Sequence, residues 1–123
     1  MISFEQFEIA DGVPIYLQII QYLKRGMVSG AIRDGDPLPS RRNLSALLGV
    51  NPNTIQKAYH LLEEEGLIQS QTGAKSVVCL DGAALARIRR ELLEGEIRSV
   101  VDGLKQAGLT KQEALALMAR HWE

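Results

Sequence analysis

Cysteine, aromatic residues and long apolar runs are all scarce in this 123-residue chain, and each scarcity removes a class of protein. The single cysteine, Cys79, cannot close an intramolecular disulfide, which excludes disulfide-stapled secreted scaffolds and fits a reducing, cytoplasmic setting. Aromatics are only 5% of the residues, so an aliphatic core is expected. No apolar stretch approaches the roughly 20 residues that cross a bilayer, so no membrane partner is expected. Residues 1–13 carry Glu5, Glu8 and Asp11 and no basic side chain, which is not the pattern of a secretory leader. What is present, 46% hydrophobic and 24% charged residues, suffices for one packed domain with an appended piece.

Charge of either sign is also not in excess, since the net charge is −1. The average conceals a local imbalance. No acid occurs between Asp36 and Glu63, whereas Arg41, Arg42 and Lys57 fall inside that gap. A polyanion responds to such a local field rather than to the chain total.

Tyr16, Ile19, Ile20, Leu23 and Met27 follow helical spacing, which predicts a first amphipathic helix opening at Pro14 and broken by Gly30 and the stretch 34–37. Ser40 is a suitable N-cap for a second, short helix from Arg41 to Leu48, closed by Gly49. Asn51 and Pro52 read as cap and first residue of a third. That helix sets Ile55, Ala58, Tyr59 and Leu62 on one side and Asn53, Gln56, Lys57 and His60 on the other. Helix, short glycine-containing turn, helix is the helix-turn-helix signature.

Leu67-Ile68 and residues 77–80, joined by a polar link containing Gly73, predict a β-hairpin, hence a wing behind the helix-turn-helix. From Ala83 a long period follows through Leu85, Ile88, Leu92, Leu93, Ile97, Val100 and Leu104, on the order of 36 Å if helical throughout. Gly95 and Gly103 argue against continuity, each costing about 1 kcal/mol relative to Ala. Thr110 with Glu113 forms a capping box for a last helix from Lys111 to about His121, whose inward side is Leu115, Met118 and Trp122. Two striped helices cannot enclose a core alone, so the tail is expected to pack against a second copy. The expected architecture is therefore mainly α with a small β-hairpin. A winged helix-turn-helix with a short N-terminal arm occupies residues 1–80 and a two-helix dimerisation tail residues 81–123.

The run LPSRRNLSALLGVNPNTIQKAY, residues 38–59, together with Pro14-Ile15-Tyr16, Gln18 and Gly66-Leu67-Ile68, resembles the N-terminal DNA-binding domain of the GntR family of bacterial transcription regulators. The short tail and the wording VNPNTIQKAY look most like its YtrA subfamily, which dimerises through such a tail. The resemblance implies a homodimeric, non-enzymatic, sequence-specific DNA-binding protein, a repressor acting on a palindromic operator and, by subfamily, on transporter genes. It implies that Arg42 contacts a guanine or a phosphate and that Ser40 sits beside the DNA backbone.

Physical chemistry adds the remaining candidates. Asn51, Asn53 and Thr54 occupy the first turn of the third helix, where free amides and partial positive charge suit phosphate. Asn53 and Gln56 have the side-chain amides that pair bidentately with adenine edges. Arg41 and Lys57 are assigned to phosphate attraction. In the wing, Lys75 stands where many family members have the second glycine of a Gly-x-Gly element, so Gly73 and Lys75 are read as backbone contacts.

Each assignment has a plainer counterpart. Ser40, Asn51 and Thr54 cap helices whatever else they do, and Gln56, Lys57 and His60 suit a merely solvated face. The rival function is a winged helix that binds protein without specific DNA binding. His60 and His121 have no ligand cluster around them, and no nucleophile set or phosphate loop is present, so neither a metal, another cofactor nor an enzyme is expected. Cys79 is expected as a buried small hydrophobe. The resemblance specifies no small-molecule effector.

Overall fold

A computed structural model describes residues 2–71 and 75–122. Among these the chain is mainly α-helical with one small hairpin: α1 (Ile15–Ser29), α2 (Arg41–Leu48), α3 (Pro52–Glu64), β1 (Ile68–Ser70), β2 (Ser76–Val78), α4 (Gly82–Gln106) and α5 (Lys111–Trp122). Contacts divide it into two compact units, Met1–Arg89 and Arg90–Glu123.

The helical stripes form the core of the first unit. Ile19, Ile20, Leu23 and Met27 of α1 are buried with Leu44 of α2 and Ile55, Ala58, Tyr59 and Leu62 of α3. Pro14 is the N-cap of α1 rather than its first helical residue, because its ψ of 138° is extended. Gly30 closes the helix at φ 88°, a left-handed conformation in which a Cβ is strained. Glu65, just past α3, is held from both flanks: Lys24 Nζ of α1 lies 3.0 Å from its carboxylate, and Arg87 of α4 donates to its carbonyl at 3.1 Å.

The hairpin is displaced from the expected one. Its pairs are Ile68↔Val78, Gln69↔Val77 and Ser70↔Ser76, so β1 runs later and β2 earlier. The reason is a third segment: Gly35 and Leu38 donate backbone N–H groups to the carbonyls of Val78 and Ser76, and Val78 donates to Asp36. Cys79 therefore lies beyond the strand, half-buried, with its Sγ 3.5 Å from Gln69 Oε1.

Sequence periodicity does not show that the N-terminal arm is part of the core. Ile2 and Phe4 are buried. Phe4 stacks on Tyr22 at 5.0 Å between centroids, Phe7 meets both edge-on, and Tyr22 Oη donates to the Ser3 carbonyl at 2.6 Å. Gln18 fastens the rest of the arm, accepting from Ala10 N–H and donating to the Ala10 and Val13 carbonyls.

The long helix α4 is continuous through Gly95 and Gly103. Its first turns belong to the first unit: of the expected dimerisation residues, Ile88 is 1% exposed inside the core and Leu85 is half-buried against it. The remaining tail positions are exposed or half-buried. Leu93, Val100 and Leu115 are exposed, Ile97 is 56% and Trp122 84% exposed, and Leu92, Leu104 and Met118 are half-buried.

The capping box of α5 forms as expected: Thr110 N–H donates to Glu113 Oε1 at 3.0 Å, and Glu113 N–H donates to Thr110 Oγ1 at 3.2 Å. Hydrogen bonding of the Glu113 carboxylate by Thr110, from its backbone first and its side chain second, holds that carboxyl below its ordinary pKa. A carboxylate depressed on folding adds stability above its unfolded pKa and loses it as pH falls through the folded one. The thermal midpoint of α5 should thus fall on acidification, and the difference between wild type and Glu113→Gln should shrink at low pH. Thr110→Ala should cost about 1 kcal/mol at neutral pH, read by thermal denaturation.

Candidate nucleic-acid interface

The turn between α2 and α3 is set by Gly49 and Ser45. Gly49 adopts φ 67°, and Ser45 Oγ donates to the Val50 carbonyl at 2.6 Å while its own carbonyl accepts from Gly49 and Val50. Ser45 is buried, and nothing in its sequence position marks it as the residue that fixes the turn. Ser40 Oγ accepts from Asn43 N–H at 3.0 Å, opening α2, and Asn51 Oδ1 accepts from Asn53 N–H at 2.8 Å, opening α3.

This geometry leaves Asn53, Gln56, Lys57 and His60 exposed along one side of α3, with Asn51 at its tip and Thr54 half-buried beside it. The polar side chains divide into two groups. Lys57 Nζ sits 4.1 Å from the Tyr16 ring centre, and His60 Nε2 lies 2.9 Å from Glu64 Oε1, so both already have partners. By contrast, among the described residues the side chains of Arg42, Asn53 and Gln56 make no hydrogen bond or ion pair. Arg42 is exposed in the first turn of α2.

Arg41 behaves differently from its neighbour. It is half-buried, its guanidinium carbon is 5.5 Å from the Tyr59 ring centre, and its Nε is shielded with no acceptor among the described residues. Tyr59 is buried on the inner side of α3 and donates from Oη to the Pro39 carbonyl at 2.7 Å, tying α3 to the segment that opens α2. Burial raises the phenol's pKa, opposed by the Arg41 charge. Tyr59→Phe should cost about 1 kcal/mol in chemical denaturation, the ordinary worth of one such bond.

In the wing, Lys75 is exposed and its carbonyl accepts from Gln71 N–H at 2.8 Å. Gly73, the other wing candidate, lies outside the described residues. Among the described residues no group of three or more His, Cys, Asp or Glu side chains could hold a metal, and no helix is long and apolar enough to cross a membrane.

Two helices joined by a pinned turn, the second open along a polar side and followed by a two-stranded wing, define a winged helix-turn-helix regulator. Comparison with known proteins gives the family. Residues 15–78 match the model of the bacterial regulatory proteins of the gntR family, and the chain belongs to that family. It is 36% identical over 101 residues to the HTH-type transcriptional repressor YtrA of Bacillus subtilis, covering 82% of this chain and 73% of that one. It is 32% identical over 102 residues to the HTH-type transcriptional regulator YhcF of the same organism, covering 83% and 84%. A GntR family transcriptional regulator from Listeria monocytogenes superposes with a TM-score of 0.81 at 29% identity, covering 91% and 98%. The chain is a DNA-binding transcription regulator and not an enzyme.

Proposed function

We propose that the chain is a cytoplasmic repressor that binds a palindromic operator as a homodimer and controls transporter genes. The observation that carries this reading is the set of exposed side chains, Arg42, Asn53 and Gln56, in the N-terminal halves of α2 and α3, none of which has a hydrogen-bond or ion-pair partner among the described residues. Hydrogen-bonding groups left open on a recognition helix are available to base edges. Arg42 takes a guanine or a phosphate, and Asn53 and Gln56 read bases. Ser40, Arg41, Asn51, Thr54, Lys57, Gly73 and Lys75 contact the backbone. The likeness to a protein named as a repressor supports the direction of regulation.

Residues 1–80 form the DNA-binding part and residues 81–123 the tail, which pairs two copies through Leu92, Leu93, Ile97, Val100, Leu104, Leu115, Met118 and Trp122. The exposed apolar side chains at several of these positions support the assignment, since such a surface marks an interaction site. Selecting bound fragments from the host genome tests the whole reading. Two-fold symmetric sites with half-sites about one helical turn apart, or slightly more, are expected upstream of transporter genes. Failure to enrich any fragment over bulk DNA would favour a protein-binding winged helix instead.

A further inference from the structure

Arg41 stands where a cation is poorly placed. It and Arg42 open α2, whose first turn holds no acid, and a helix N-terminus carries partial positive charge of its own. Among the described residues no acidic side chain pairs with Arg41. Its Nε is shielded without an acceptor, so the donors left for an acceptor from outside are the two Nη groups. What holds the side chain is a ring: the guanidinium carbon lies 5.5 Å from the centre of Tyr59. Tyr59 is itself fixed, 1% exposed and donating from Oη to the carbonyl of Pro39, which precedes the cap of α2.

An aromatic partner differs from a carboxylate in that it orders a cation without cancelling its charge. Lys24, 3.0 Å from the Glu65 carboxylate, presents a nearly neutral pair to a polyanion, whereas Arg41 against Tyr59 keeps its full attraction. We infer that Tyr59 is a positioning residue for DNA binding: its ring sets the Arg41 guanidinium in advance to take one backbone phosphate through the Nη pair. An arginine held in this way has already given up rotamer freedom that a free side chain loses on binding. The inference rests on the DNA-binding reading of α2 and α3 and adds to it a residue from the buried side of α3. A phosphate contact carries no sequence information, so its contribution is the same on an operator and on unrelated duplex.

Fluorescence anisotropy of a labelled duplex of unrelated sequence, titrated with the full chain over a series of salt concentrations, tests the pair. Arg41→Ala should weaken binding by about tenfold or more per chain. It should also make the slope of log affinity against log salt shallower by about one for each chain bound. Tyr59→Phe keeps the ring and should bind as the unaltered protein does. Tyr59→Leu, checked for its helices by circular dichroism, should bind about two- to tenfold more weakly, and in an Arg41→Ala background it should cost nothing further. Losses that simply add overturn the proposal, because the ring then acts on the fold and not through Arg41. Should Tyr59→Leu not fold, Arg41→Lys decides: it keeps the charge without the planar fork, so it should restore the salt slope and still bind more weakly. Full recovery of affinity by lysine overturns the proposal, since a freely moving charge then suffices. Arg41 and Tyr59 variants that bind normally, in a chain whose Arg42→Ala variant has lost operator binding, overturn this inference alone. An unaltered chain that binds no duplex overturns the recognition reading and this inference with it.

Discussion

Arg42→Ala is expected to remove sequence-specific operator binding while leaving the fold intact. The side chain is exposed and makes no hydrogen bond or ion pair among the described residues, so its loss should change stability by less than about 0.5 kcal/mol. A bidentate arginine contact to guanine is worth about 1 to 3 kcal/mol of discrimination. A symmetric dimer presents it twice, giving a combined loss of about 2 to 6 kcal/mol, or roughly 30-fold to 10⁴-fold in affinity. If phosphate is the partner instead, the slope of log affinity against log salt becomes shallower by about one for each contact. A mobility-shift titration at several salt concentrations reads both quantities, and Arg42→Lys separates them, since it keeps the charge without the fork. Unchanged operator affinity in Arg42→Ala would defeat the assignment.

The second large effect is expected from Ile97→Glu. Ile97 is 56% exposed near the middle of α4, so glutamate is tolerated by the folded chain and suits a helix. Facing a second copy, it would place a carboxylate within an apolar seam, where an unpaired charge is costly. Sedimentation should then report a single chain where the unaltered protein gives two. Operator affinity should fall by about 10² to 10⁴, because the second half-site no longer engages at high effective concentration. Weak, sequence-independent attraction to DNA should persist. A variant that remains dimeric would move the seam away from this stripe.

The parts legible from sequence were those fixed by local chemistry. The bounds of α2 follow from Ser40 and Gly49, the start of α3 from Asn51 and Pro52, and the buried side of α3 from a single unbroken period. What escaped depended on partners distant in the chain. The arm has too few residues for periodicity, and its only local signal was Phe4 and Phe7 in a chain with two phenylalanines. The hairpin register depended on residues 35–38, which read as a turn and serve also as a neighbour to β2. Ile88 shared the period of the tail yet is covered by the first unit, because one helix passes from one unit to the other without a break in its pattern. At the candidate interface, residue types and spacing found Asn53 and Gln56. They did not reveal that Lys57 and His60 already have partners or that Arg41 leans on Tyr59.

Trp122 is the chain's sole tryptophan and is 84% open to solvent at the end of α5. Intrinsic fluorescence excited at the red edge of indole absorption therefore comes from the tail alone, with no contribution from the winged domain. In a single chain its emission lies at the long-wavelength limit of a hydrated indole, and it shifts to the blue when another surface, such as a second copy, covers the ring. The protein thus carries a built-in optical reporter of events at its C-terminal helix, readable at concentrations too low for hydrodynamic methods and without attaching a dye.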